Sequence, residues 1–135
     1  MNNELPVFIP TLLRAILALS MICIITKPAT DIELSRISRM FGNYIKLAVD
    51  VERGILSGGG ESHAECEAAL LKLNSSQRNI WGAGLNLTTR QTDYDSIINI
   101  RPSQGNRSMI IQNATIRMRI DQIIDQLIGG NYAGS

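Results

Sequence analysis

Glu61-Ser62-His63-Ala64-Glu65-Cys66-Glu67-Ala68-Ala69-Leu70-Leu71-Lys72-Leu73 is the stretch on which the fold turns, because it satisfies two periods at once. Read at 3.6 residues per turn, Ala64, Ala68 and Leu71 share one face, and Ser62-x-x-Glu65 has the spacing of a capping box. Read at two residues per repeat, Ala64, Cys66, Ala68 and Leu70 alternate as cleanly. Asn74-Ser75-Ser76 supplies a turn immediately afterwards, and Asn79-Ile80-Trp81 resumes an apolar run. On that ground the segment is expected to be extended and to pair with the strand through Trp81. A strand places His63 and Glu67 on one face and Cys66 on the other, whereas a helix brings the three onto neighbouring positions.

The flanking punctuation is clearer. Ile45, Leu47, Val49 and Val51 alternate with Tyr44, Lys46, Ala48 and Asp50, the signature of a half-buried strand, and Gly54-Ile55-Leu56 extends or re-enters the sheet before Gly58-Gly59-Gly60. Upstream, Ile22-Cys23-Ile24-Ile25 is a continuous apolar run ended by Lys27-Pro28, as in a buried strand. Thr30-Asp31-Ile32-Glu33 then opens a helix with capping-box spacing; Leu34, Ile37 and Phe41 form its apolar stripe and Gly42 is placed to end it. Downstream, residues 96–101 and 107–112 read as a hairpin around Pro102-Ser103-Gln104-Gly105. Asn113 caps a last helix whose Ile116, Ile120, Ile123, Ile124 and Leu127 recur at helical spacing. The expected architecture is α+β: a curved, mainly antiparallel sheet with two helices packed on one face.

Residues 1–20 are expected to be an N-terminal hydrophobic helical extension outside the domain, which then spans 21–129 and is followed by a tail at 130–135. The apolar run from Leu5 to Ile25 is interrupted by Pro6, Pro10, Arg14 and Ser20, too often for a membrane span. It also lacks the basic region and cleavage site of a signal peptide.

Thirteen basic and twelve acidic residues leave a formal net charge of +1, so the broad basic footprint of a nonspecific nucleic-acid binder is missing. A local patch inside a neutral total is still compatible with nucleic acid. Aromatic residues make up only 4% of the chain, which leaves Ile and Leu to build the core. The two cysteines, Cys23 and Cys66, show no pairing pattern, and such usage points to reduced thiols in the cytoplasm.

The segments at residues 45–56 and 63–68, with Trp81-Gly82-Ala83, Ile98-Asn99-Ile100-Arg101-Pro102 and Asn106-Arg107-Ser108-Met109, resemble an uncharacterised family of small bacterial proteins, a domain of unknown function. The resemblance covers roughly residues 21–128 and implies no activity. The chain departs from that pattern at residues 84–92, where a second aromatic is missing.

Several residue groups carry candidate chemistry. Arg101 and Arg107 flank one hairpin loop beside the amides of Asn99 and Asn106, and arginine forks bind carboxylate or phosphate bidentately. Arg53 and the glycines Gly58, Gly59 and Gly60 complete the candidate anion site, although the triple glycine lacks the Lys-Ser/Thr of a phosphate-binding loop. The competing reading pairs Arg101 and Arg107 with Glu65, Glu67 or Asp50 as ties within the sheet. His63 with Glu67 or Asp50 would suit acid–base chemistry on a phosphoester, as in a small nuclease, but a single histidine in a neutral chain argues against it. Cys66 reads as a small buried hydrophobe. No cofactor and no metal site is expected. The ranking that follows puts a binding module for an anionic ligand (nucleotide, RNA phosphate or partner carboxylate) ahead of a self-associating interaction protein such as a homodimer. The phosphoesterase comes third.

Overall fold

The structure is a computed structural model that describes residues 10–13, 22–38 and 43–129. Within these, β1 (Cys23–Ile25), α1 (Asp31–Ser38), β2 (Tyr44–Asp50), β3 (Ile55–Gly58), α2 (His63–Lys72), β4 (Ile80–Asn86), β5 (Thr92–Asp93) and α3 (Ala114–Leu127) follow in order. The five strands form one antiparallel sheet, β1-β3-β2-β4-β5. Most of the expected extension, the end of the first helix at Phe41 and Gly42, and the tail beyond 129 lie outside the described residues.

β2 is the centre of the sheet and pairs with β4 over its full length, from Tyr44↔Asn86 to Asp50↔Ile80. Alternation sorts the core into two clusters. Ile45, Leu47 and Val49 join Ala83 and Leu85 under Leu34 and Ile37 of α1 and Ile120, Ile123 and Leu127 of α3. On the opposite face Ala48, Ile55 and Ile80 meet Cys66 and Leu70 of α2. The two expected helices thus contribute to the larger cluster, and a third helix covers the other side.

That third helix corrects the extended reading of residues 61–73. Ser62 Oγ accepts from Glu65 N at 3.2 Å, and the Glu65 carboxylate accepts in turn from Glu61 N at 2.8 Å, so the capping box forms with its return bond displaced by one residue. Cys66 and Leu70, four apart, both become fully buried, while Leu71 and Leu73 stay 41% and 44% exposed. The apparent alternation was supplied by alanines, which fit either period. The caps of the other two helices form as expected. Thr30 and Glu33 exchange bonds of 2.9 and 3.1 Å, and Asn113 Oδ1 accepts from Thr115 N at 2.8 Å and from Ile116 N.

The second correction concerns the expected hairpin. Residues 94–112 contain no ladder; two 3₁₀ turns, Ile97–Asn99 and Pro102–Gln104, are joined by the isolated bridges Asp95↔Ile110 and Arg101↔Asn106. Side-chain amides take over the bonding that a ladder would supply. Asn99 Oδ1 accepts from Gly82 N at 2.8 Å and its Nδ2 donates to Gly82 O at 2.9 Å, so one side chain imitates a neighbouring strand. Gly82 is required there, because a Cβ would stand 2.5 Å from Ser96 Cβ.

Candidate functional site

The loop at 94–112 is fixed by three buried polar side chains. Beyond Gly82, Asn99 Nδ2 also reaches the carbonyls of Tyr94 and Met109. Asn106 Nδ2 donates to Asn99 O at 2.8 Å and to Ser108 O and Ile110 O, and its Oδ1 accepts from Gln112 N. Arg101 completes the set. Its Nε donates to Ile98 O, one terminal nitrogen to Gln77 O and Gln104 Oε1, and the other to Ile80 O while lying 3.6 Å from the Glu67 carboxylate. Four internal oxygens therefore accept from the guanidinium, and the Glu67 carboxylate adds an ion pair without a hydrogen bond. The guanidinium carbon also sits 4.5 Å from the Trp81 ring centroid. Arg101 is an internal strut in this arrangement, the reading that paired it with Glu67.

What the rigid loop presents outward is apolar. Ile97 is 73% exposed, Ile110 49%, Ile100 45% and Met109 42%. Ser96 N donates to Met109 O at 3.0 Å, which sets Ile97 beside Met109, and the two share the rim of one cleft. Arg107 is exposed on the same loop and makes no hydrogen bond or ion pair with any described residue.

That cleft, of about 560 Å³, opens between the loop and the start of α2. Tyr44 and Lys46 of β2, His63 of α2, and Asp93 and Asp95 at and just beyond β5 project into it. The Tyr44 hydroxyl donates to Asp93 Oδ2 at 2.7 Å; burial and this carboxylate hold the phenol well above its ordinary pKa. The pair lies flat on β4, where a Cβ on Gly84 would stand 2.0 Å from the Tyr44 oxygen. His63 Nε2 is 2.8 Å from Ala83 O, an atom that only accepts, so Nε2 carries the proton. Burial pushes the His63 pKa down, chiefly, with nearby Lys46 acting in the same direction. The neutral ring is left with Nδ1 as an acceptor, without a donor among the described residues. Lys46 Nζ donates to Glu61 O at 2.9 Å at the cleft wall.

The remaining sequence candidates have local duties. Asp50 Oδ1 accepts from Glu52 N and Arg53 N, each at 3.0 Å, and closes the β2–β3 turn. Arg53 ties the end of α2 to that turn through Leu73 O at 2.8 Å and Ser75 Oγ. Gly58 ends β3, Gly59 has φ +96°, and a Cβ on Gly60 would stand 3.1 Å from Cys66 Sγ, so the triple glycine is a close-packed turn beneath α2. Its backbone is buried. Glu67, with its pKa raised by burial, faces Arg101. Burial pushes the Cys66 thiol up to about 11. Neither Asp50 nor Glu67 is among the groups lining the cleft with His63. No cluster of three His, Cys, Asp or Glu side chains suited to a metal occurs among the described residues. No helix among them is long and apolar enough to cross a membrane.

Sequence reasoning passed over Tyr44, Lys46, Asp93 and Asp95. The signal that could have found them is the pair Gly82 and Gly84, two glycines on one face of an otherwise apolar strand, which marks close approach by other groups.

Among known protein families, residues 23–127 match the model described as "Protein of unknown function (DUF5674)", and the chain belongs to that family. No curated protein and no solved structure matches the chain.

Proposed function

We propose that this member of the DUF5674 family is a binding module that docks a protein partner on the loop at 94–112. The observation that carries this reading is the contrast within the loop: Asn99, Asn106 and Arg101 are buried and bonded to the chain's own backbone, yet Ile97, Ile100, Met109 and Ile110 stand in water. Burying one of these side chains against a partner is worth about 1.5–3 kcal/mol, and a rigid loop loses little entropy on binding. Contiguous apolar side chains with charged neighbours are the usual appearance of an interaction surface. Arg107 supplies the cation for a carboxylate of the partner, which places the expected anion contact at this arginine and not at Arg101. Its bidentate geometry gives register to an otherwise apolar contact.

The test compares wild type with Ile97→Ser/Met109→Ser and with Arg107→Ala. Exposed positions away from special geometry change stability by only about 0.5 kcal/mol. Melting temperatures should therefore coincide. Chemical cross-linking and affinity capture from a lysate of the source cells, with sedimentation of the pure protein, should show a complex lost in the double variant and weakened in Arg107→Ala. Identical partner sets and sedimentation for all three proteins would rule the reading out.

A further inference from the structure

We propose that the cleft in front of His63 binds an organic monocation, an ammonium or guanidinium on an apolar stem, held between His63 Nδ1 and the Asp95 carboxylate. Two hydrogen-bond acceptors without donors among the described residues line this one space, one on the partly buried His63 and one on the exposed Asp95. His63 Nδ1 is the first, since Nε2 is committed to Ala83 O. The Asp95 carboxylate is the second: its own backbone N–H donates to Asp93 Oδ1 at 3.2 Å, but its side chain makes no hydrogen bond or ion pair with a described residue. Asp93 contributes a further negative charge, already accepting from Tyr44.

Among the described residues the charges on the walls are two carboxylates and the ammonium of Lys46, with a neutral imidazole, a balance of one negative charge. The remaining lining is apolar, from Ile97 and Met109, and a smaller crevice of about 250 Å³ continues past Lys46 and His63 towards Ile98. A bare metal ion would find too few ligands here, and an anion would meet the two aspartates. A donor group with a hydrocarbon stem satisfies both the acceptors and the apolar lining. The same chemistry could arrive as a free amine or as a Lys or Arg side chain of a partner. This inference does not depend on Arg107, although the cleft shares Ile97 and Met109 with the docking loop.

Full-length protein labelled with ¹⁵N is titrated with n-butylammonium, with 1-butanol as the neutral control and inorganic phosphate as the anionic one. Butylammonium should give saturable shifts at the amides of His63, Gly84, Ser96 and Ile97, and a shift of the His63 Nδ1 resonance. A dissociation constant on the order of 1 mM is within reach of so small a ligand. Butanol and phosphate should give none. Asp95→Asn, at an exposed position whose side chain bonds to no described residue, should weaken binding about fivefold, the upper range for an exposed charge pair. Arg107→Ala should leave it unchanged, so that failure of this site and failure of the docking loop are distinguishable. Acetyl-Leu-Lys-Leu-amide separates the sources: tighter binding than butylammonium, abolished by Ile97→Ser, assigns the site to a partner's basic side chain, and equal affinity assigns it to a free amine. Absence of saturation by either probe, shifts caused equally by phosphate, or unchanged affinity in Asp95→Asn would overturn the proposal.

Discussion

Replacing Arg101 by alanine removes the group that holds the loop, Glu67 and the β4 edge together. The side chain is 9% exposed and its ion-pair partner 13%, so both charges are largely withdrawn from water in the native protein. Truncation leaves the Glu67 carboxylate beside a cavity without its counter-charge, a change that typically costs about 3–5 kcal/mol in buried pairs. The carbonyls of Gln77, Ile80 and Ile98 also lose a donor, but the vacated space adjoins a polar pocket and admits water to them. About 4 kcal/mol is therefore expected. With an unfolding entropy near 2.1 cal/mol/K per residue over 135 residues, that corresponds to a fall of roughly 14 °C in Tm. Thermal and urea unfolding followed by circular dichroism measure it, and Glu67→Gln in the same background should recover part of the loss by removing the stranded charge. The pH dependence has a definite sign. Burial raises the Glu67 pKa and Arg101 opposes that rise, so without Arg101 the folded-state pKa climbs further. A carboxyl whose folded pKa lies above its unfolded value favours the native state most at low pH and loses that contribution as pH rises through the folded pKa. The deficit of Arg101→Ala should thus shrink as pH is lowered from neutrality towards the unfolded carboxyl range. A Tm within about 3 °C of wild type at neutral pH, or a deficit that grows on acidification, would refute the strut assignment.

Two further outcomes follow from close contacts and burial. Gly84→Ala should break the Tyr44–Asp93 bond, because the new methyl would overlap both oxygens, at 2.0 and 2.5 Å; a loss of about 1–3 kcal/mol in urea unfolding is expected, and an unchanged midpoint would contradict the packing. Cys23 and Cys66 are buried with raised thiol pKa values, so alkylation by iodoacetamide near pH 8 should proceed only at the rate of unfolding, and rapid labelling of native protein would show that either thiol is accessible.

The parts of the fold legible in the sequence were those where side-chain type and backbone geometry are locally coupled. Tyr44–Asp50 was readable from alternation, and α1 and α3 from their caps, because Thr30, Glu33 and Asn113 act on amides two or three residues away. α2 was misread although its cap was visible. Its buried stripe amounts to Cys66 and Leu70, and the residues that meet it, Ala48, Ile55 and Ile80, gave no sign that a helix would lie there. The irregular loop was illegible for another reason: Asn99 and Asn106 bond to residues up to 17 apart in sequence, and no local period records such a bond. Of the candidate site, His63 and the Arg101 pairing with Glu67 were within reach of residue types alone. Tyr44 and Lys46 looked like the wet face of a strand, and only the tertiary fold turns that face into a cleft wall.

The asparagine that imitates a strand has a consequence for the protein in a crowded cell. β5 pairs with β4 only at Gly84 and Leu85, so the lower half of β4 would otherwise present an open backbone edge, the usual template for one chain to recruit the next into a growing fibre. Asn99 occupies both bonding groups of Gly82, and Arg101 takes the carbonyl of Ile80. A side chain, unlike a strand, terminates the hydrogen-bond ladder without offering a new edge beyond itself. The same residues that hold the apolar loop in place therefore close this stretch of β4 to strand addition, leaving β1 and β5 as the outer strands of the sheet.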